Sequence, residues 1–150
     1  MEINFTSPKE EVIKFLLELK KVMSNRDFDV NKDLDVILKK KNENSLDPYT
    51  TQNTLLKLDF DKNDIADTLK KLSVEEYIET GKDRKDISSP EFYIFGKEVQ
   101  GNLIYIKIKI RDKINHKVFC VSFHFARYPI SNFHINIRRC IIHGRFNWKS

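Results

Sequence analysis

The chain has 150 residues, 40% of them hydrophobic and 33% charged, with 27 basic against 22 acidic side chains. That length and four glycines and four prolines predict one domain with its own core, residues 1–150, and argue against a flexible linker. No stretch approaches the ~20 apolar residues of a transmembrane helix and no basic-then-apolar leader opens the chain, which predicts a cytoplasmic protein with no membrane partner.

The N-terminal half reads as helical. Ser7, Pro8 and Glu10 predict a capped helix start, with Ser7 as the cap. Val12, Ile13, Leu16, Leu19 and Met23 then keep helical spacing to about Ser24. Residues 27–31 alternate weakly, as in a short strand, and Leu34, Ile37 and Leu38 suggest a short helix. Residues 39–48 (KKKNENSLDP) are polar and predict a loop. Residues 50–57 predict a helical turn or two. Residues 61–71 predict a better helix, with Ile65, Leu69 and Leu72 on one side. Ser73 and Glu76 form a second capping pattern, which opens a single turn. The helical part therefore spans about 1–78.

Beyond it the period changes to two. Residues 80–90 predict a charged loop and residues 92–95 a short apolar strand, followed by a turn at 100–102. Ile104, Ile106, Ile108 and Ile110 then fall on one face of a strand, with Tyr105, Lys107, Lys109 and Arg111 on the other. Phe119, Val121, Phe123 and Phe125 repeat the apolar face, with Cys120, Ser122 and His124 opposite. A hairpin centred between Ile114 and Asn115 pairs Ile110 with Phe119, Ile108 with Val121 and Ile106 with Phe123. The same register sets Lys107 across from Ser122 and Tyr105 across from His124. Helices first and an antiparallel sheet second, about 90–130, predict α+β architecture with N-terminal helices packed on a twisted sheet.

Residues 131–150 form a basic C-terminal extension. Phe133, Ile135 and Ile137 alternate as in one more strand, and the last ten residues fit a tail equally well. From Lys113 onward there is no Asp or Glu but there are seven basic residues, and all four histidines lie in this part. Residues 1–112 hold 20 basic and 22 acidic side chains, a net of −2. Affinity for a polyanion is therefore expected in the C-terminal third.

Three blocks in order carry a resemblance. The first is residues 56–61 (LKLDFD), a helix, then residues 72–77 (LSVEEY). The second is residues 92–99 (FYIFGKEV) with Gly101 and residues 104–108 (IYIKI). The third is residues 121–124 (VSFH) followed by Arg127, Tyr128 and Pro129. Over roughly residues 50–130 the chain resembles the MqsR family of toxins. The resemblance implies a RelE-like fold and a metal-independent endoribonuclease acting on mRNA. It implies the toxin half of a toxin–antitoxin pair, neutralised by a cognate antitoxin protein. It implies that Tyr105 and His124 line the active site and that Lys107 is the lysine of the tyrosine-bearing strand. Glu79 stands where one branch of that family carries a lysine.

The residue types fit such chemistry. A metal-free ribonuclease needs a base for the 2′-hydroxyl proton, an acid for the departing 5′-oxygen and a cation for the developing charge. Histidine suits either proton role because it titrates near neutrality, and lysine or arginine supplies the charge. The expected catalytic set is His124, Tyr105 and Lys107, with Lys97, Lys109, Arg111 and Arg127 on flanking phosphates. No cofactor and no metal are expected. His116, Cys120 and His124 recur every four residues, but strand neighbours so spaced stand ~13 Å apart and cannot share one zinc. A non-catalytic nucleic-acid-binding or inhibitor protein on the same fold is the alternative. A plain interaction module whose basic face meets an acidic protein is the third reading.

Overall fold

The computed structural model describes residues 2–127; the alternation at Phe133, Ile135 and Ile137 and the extension 131–150 lie outside them. The elements run β1 (Glu2–Phe5), α1 (Lys9–Ser24), α2 (Val30–Asp33), β2 (Leu34–Val36), α3 (Thr51–Leu58) and α4 (Lys62–Lys70). A 3₁₀ turn (Val74–Glu76), β3 (Tyr77–Asp83), β4 (Phe92–Val99), β5 (Asn102–Asp112) and β6 (Lys117–Phe125) follow. Six strands make one sheet in the order β1-β3-β4-β5-β6-β2, antiparallel throughout except for the β2–β6 pair. The architecture is α+β.

The helices lie on one face of the sheet. Ile104, Ile106, Ile108 and Ile110 of β5 are all buried there, against Phe15 and Leu19 of α1, Leu55 and Leu58 of α3 and Ile65 and Leu69 of α4. Each such side chain contributes about 1.5–3 kcal/mol by leaving water. Phe15 stacks on Tyr93 of β4 with ring centroids 4.0 Å apart. Local signals start the helices. Thr50 accepts the Asn53 N–H ahead of α3. Asp61 and Asp64 exchange side-chain and backbone hydrogen bonds at the head of α4, a reciprocal cap.

Five local expectations are corrected. β1 precedes the first helix; its four residues are all exposed, so no burial alternation betrays it. Residues 34–36 form a strand, not a helix, because pairing with β6 overrides a spacing that fits either. Residues 27–31 are not a strand: Asp29 accepts the Asn31 N–H and starts α2. Residues 80–83 are not loop but the end of β3, paired with β1 on one side and β4 on the other. Ser7, expected to cap α1, instead meets the Thr80 hydroxyl at 2.6 Å, and its N–H donates to the Tyr77 hydroxyl at 2.8 Å. Pro8 supplies the carbonyl that starts the helix.

The most consequential correction lies in β6. Ile106 faces Phe123, Lys107 faces Ser122 and Tyr105 faces His124, as the hairpin register requires. Then one residue slips: Ile108 faces Cys120, Lys109 faces Phe119 and Ile110 faces Val118. Val121 is the extra residue of a β-bulge. Below it the parity reverses, so Val118 and Cys120 enter the core and Phe119 emerges on the other face. The run 118–121 (VFCV) is apolar at both parities, so alternation cannot choose between them.

Among the described residues, β6 also lacks a strand neighbour beyond β2. The Phe123 N–H donates to Thr51 Oγ1 at 3.1 Å and the Phe125 N–H to Thr54 Oγ1 at 3.0 Å, so α3 satisfies the edge where a strand would have. Cys120 is fully buried, which pushes its thiol up to about 12. In a Cys140→Ser background, Cys120 will therefore resist alkylation at pH 8 in the folded protein and react within minutes in denaturing urea. Rapid alkylation of the folded protein would place Cys120 on the outer face and contradict the bulge.

Candidate active site

The face that bears no helix among the described residues carries the polar row. Tyr105 of β5 and His124 of β6 stand directly opposite one another. Their rings stack, with centroids 5.2 Å apart and planes at 18°. Both are half-buried. Tyr105 also packs against Ile78 and Ile94, a small apolar cluster on this face separate from the main core. That packing holds the phenol ring in place while its hydroxyl stays unengaged among the described residues.

The imidazole has a defined tautomer. Nδ1 of His124 lies 3.0 Å from the Phe125 carbonyl oxygen. A carbonyl only accepts, so Nδ1 carries the proton and donates it there. Nε2 is then the lone-pair nitrogen, and it has no hydrogen-bond partner among the described residues. Burial holds the His124 pKa below its ordinary value of 6.5, with Lys40 adding to the effect and the Phe125 carbonyl opposing it. At neutral pH the ring is therefore a neutral base. Tyr105 moves the other way. Burial, then Glu79 and Glu2, push its hydroxyl up to about 12, so it remains a proton donor. The carboxylate of Glu79 is thus one reason why Tyr105 keeps its proton. Glu79 itself accepts a hydrogen bond from Asn4 of β1 at 3.1 Å.

Lys107 shares this face but is engaged elsewhere. Its Nζ lies 2.8 Å from Glu2 Oε1, and 5.0 Å from the centroid of the Phe92 ring. Glu2 reaches it by crossing Gly81 of β3. A Cβ at Gly81 would stand 2.7 Å from Glu2 Cδ, so the absence of a side chain opens the path. The cation beside Ser122 is a different one. Lys40, from the loop after β2, donates to Ser122 Oγ at 3.0 Å. Lys40 and not Lys107 is among the charges that act on His124. Burial, with Lys107 contributing, lowers the Lys40 pKa. Sequence reasoning missed Lys40 because it sits in a polar loop with no periodicity. What docks that loop is backbone pairing: the Ile37 N–H to the Cys120 carbonyl, and the Gln52 N–H to the Leu38 carbonyl.

The remaining expected residues divide. Arg127, just past β6, lies 2.8 Å from Asp47 and 4.9 Å above the Tyr49 ring, beside the loop that also brings Asp47 into the field of His124. Lys109 and Arg111 continue the row of Tyr105 and Lys107 along β5. Arg111 pairs with Asp35 at 3.0 Å. Lys97 does not join them. It faces Ile104 across the β4–β5 pair, which puts it on the helix-bearing face, and it pairs with Glu76 at 3.1 Å.

Among the described residues, no three His, Cys, Asp or Glu side chains gather into a set that could hold a metal ion, and no helix is long and apolar enough to cross a membrane. A groove of about 400 Å³, lined by Ser45, Pro48, Asn53, Lys57 and Phe125 among others, opens near the end of β6. No family model matches the chain, and neither does any curated protein or solved structure.

Glu2 competes with any polyanion for Lys107. On the expectation that this face meets single-stranded RNA, and with partly exposed ion pairs worth about 0–1 kcal/mol, Glu2→Gln will tighten RNA binding by up to about fivefold and steepen its salt dependence by about one phosphate contact. Fluorescence anisotropy across a salt series measures both. An unchanged salt slope would mean that Lys107 does not meet phosphate.

Proposed function

We propose that this protein is an endoribonuclease that cleaves mRNA by 2′-hydroxyl attack without a metal, built on a RelE-like fold of the MqsR kind and neutralised by a cognate antitoxin. The observation that carries the reading is the stacked Tyr105–His124 pair, in which a neutral base and a retained phenol proton stand opposite each other across one strand pair.

The reaction follows from those protonation states. Nε2 of His124 takes the proton of the 2′-hydroxyl. The oxygen attacks the adjacent phosphorus, the bond from phosphorus to the 5′-oxygen breaks, and the departing oxygen receives a proton. Tyr105 hydrogen-bonds the phosphate and gives the departing oxygen that proton; the phenolate regains a proton from water, and the His124 imidazolium returns the one it took. Lys40, beside Ser122, and Lys107, once Glu2 yields, stabilise the charge that gathers on phosphorus. The products are a 2′,3′-cyclic phosphate and a 5′-hydroxyl. Lys109, Arg111 and Arg127 bind flanking phosphates.

A second reading has a specific observation in its favour. Glu2 already occupies the Lys107 ammonium and Glu79 stands near Tyr105, so acidic groups crowd the face that an RNA phosphate would approach. A non-catalytic RNA-binding protein on the same frame tolerates this more readily than an enzyme does.

His124→Ala will lower cleavage by about 10²- to 10⁴-fold, the range for losing one proton-transfer group, and Tyr105→Phe will lower it with RNA binding retained. A single 2′-deoxy substitution at the cleavage site will abolish cleavage there; cleavage at an undiminished rate excludes 2′-hydroxyl attack. The pH profile has a definite sign. The base must be neutral, so the rate falls as pH drops through the His124 pKa, with a midpoint below 6.5. Deprotonation of Tyr105 adds no falling limb until about pH 12. A midpoint above 6.5 would contradict the assignment of His124 as a half-buried base. RNA binding without cleavage, unaltered by His124→Ala, supports the second reading instead.

A further inference from the structure

The bulge at Val121 leaves an unusual surface on the outer face. Phe119 of β6 emerges beside Lys109 of β5, its direct partner across the strands. Phe92 of β4 lies on the same face, one residue before Tyr93, whose own partner on β5 is Ile108. The two phenylalanines come from strands on either side of β5, yet their ring centroids are only 6.0 Å apart, at 54°. Both rings are half-buried, not sealed in a core. The Lys109 ammonium lies 4.6 Å from the Phe92 centroid and 5.9 Å from that of Phe119. The Arg111 guanidinium carbon sits 4.1 Å above Phe119, and the Lys107 ammonium 5.0 Å from Phe92. Ser89 holds Lys109 from the far side, at 3.3 Å. Two aromatic rings, one from β4 and one from β6, thus flank a row of three cations on β5 that starts two residues from Tyr105.

The bland explanation is that these groups merely shield one another. It accounts for one ring against one cation. It does not account for a core-sized aromatic side chain being turned out of the core by a bulge, onto the face that bears the cations, while a cysteine takes its place inside. Aromatic faces beside lysine and arginine are the means by which proteins hold unpaired nucleic acid. Bases stack on the rings or on a guanidinium plane, cations take the phosphates, and every base offers a π-face. Duplex bases are already stacked and cannot use such a surface. The carboxylates that now meet the cations, Asp35 on Arg111 and Glu2 on Lys107, belong to ion pairs that are at least partly solvent-exposed and weak enough for phosphate to displace.

We propose that Phe92, Phe119 and Arg111 form a base-stacking platform for single-stranded RNA, with Lys109 on its phosphates, as a subsite separate from the Tyr105–His124 pair. The partner class rests on the RNA reading of that pair; the platform itself does not require cleavage. Tyr105 and Lys109 are four residues apart on one strand, about 13 Å at ~3.3 Å per residue. That distance spans about four stacked nucleotides at ~3.4 Å each. The platform therefore engages nucleotides to one side of the cleaved bond, favours unpaired RNA, and is tolerant of base identity.

The test uses the full-length chain with His124→Ala and a labelled ten-nucleotide RNA carrying a 2′-deoxy residue at the cleavage site, so that binding is read without turnover. Phe119→Leu and Phe92→Leu will each weaken binding by about 5- to 150-fold, the range for losing one stacked base. Phe119→Tyr, which keeps the ring, will restore it. Lys109→Gln will lower the salt slope by about one. A hairpin duplex of the same length will bind more weakly and be indifferent to the leucine substitutions. Urea midpoints identify any variant that fails to fold, and the tyrosine variant then serves as the folded comparison that keeps a stacking ring. Folded leucine variants that bind the RNA within twofold of the parent, or equal loss for the duplex, overturn the platform and leave the nuclease proposal standing. Ring-dependent binding by a wild-type chain that cleaves nothing supports the platform and defeats the nuclease proposal.

Discussion

The register between β5 and β6 is the constraint on which this molecule turns. Side chains on a strand alternate, so a shift of one residue exchanges the two faces. Here the hairpin keeps one register next to Tyr105 and His124, and the other below Val121. Above the slip, the phenol and the imidazole are set opposite each other; below it, Phe119 turns outward and Cys120 inward. The isoleucines of β5 enforce the arrangement from the other side, because all four must lie under the helices. Without the bulge, Phe119 would return to the core, a cysteine would face out, and the aromatic surface along β5 would lose half of its rings.

The edges of the sheet complete the site. On the β6 side, Thr51 and Thr54 of α3 accept the N–H groups of Phe123 and Phe125, flanking His124. The same connection carries Lys40 over Ser122. On the opposite side, β1 brings Glu2 across Gly81 to Lys107. The site thus has a cation from one edge and an anion from the other, with the paired rings between. The charge balance at Lys107 depends on a single short edge strand whose residues are all exposed, so that balance is easily shifted by a competing phosphate.

Much of this was legible in the sequence, for reasons that can be named. Four isoleucines at period two leave only one way to bury β5. The cross-strand partners Tyr105–His124 and Lys107–Ser122 follow from the hairpin centre at residues 114–115. The helices α1, α3 and α4 announce themselves by apolar spacing and, at α3 and α4, by capping side chains. Other features were illegible because local pattern does not encode them. β1 and β2 are strands only through partners 75 or more residues away in sequence. The bulge at Val121 sits in a run that is apolar at both parities. Lys40 joins the site through a loop held by backbone hydrogen bonds. Lys97 reads like any strand lysine until its partner Glu76 is seen. Pattern reveals which residues alternate; only the folded sheet reveals which carboxylate reaches which ammonium.

The central claim is that a neutral imidazole and a protonated phenol, stacked across one strand pair, direct a ribose hydroxyl onto its own phosphate. Mass spectrometry of the ends of the fragments formed from a defined single-stranded RNA tests it most directly. The account predicts an upstream fragment ending in a 2′,3′-cyclic phosphate and a downstream fragment beginning with a 5′-hydroxyl. A 5′-phosphate on the downstream fragment, or RNA left intact by the native protein free of any partner, would contradict it.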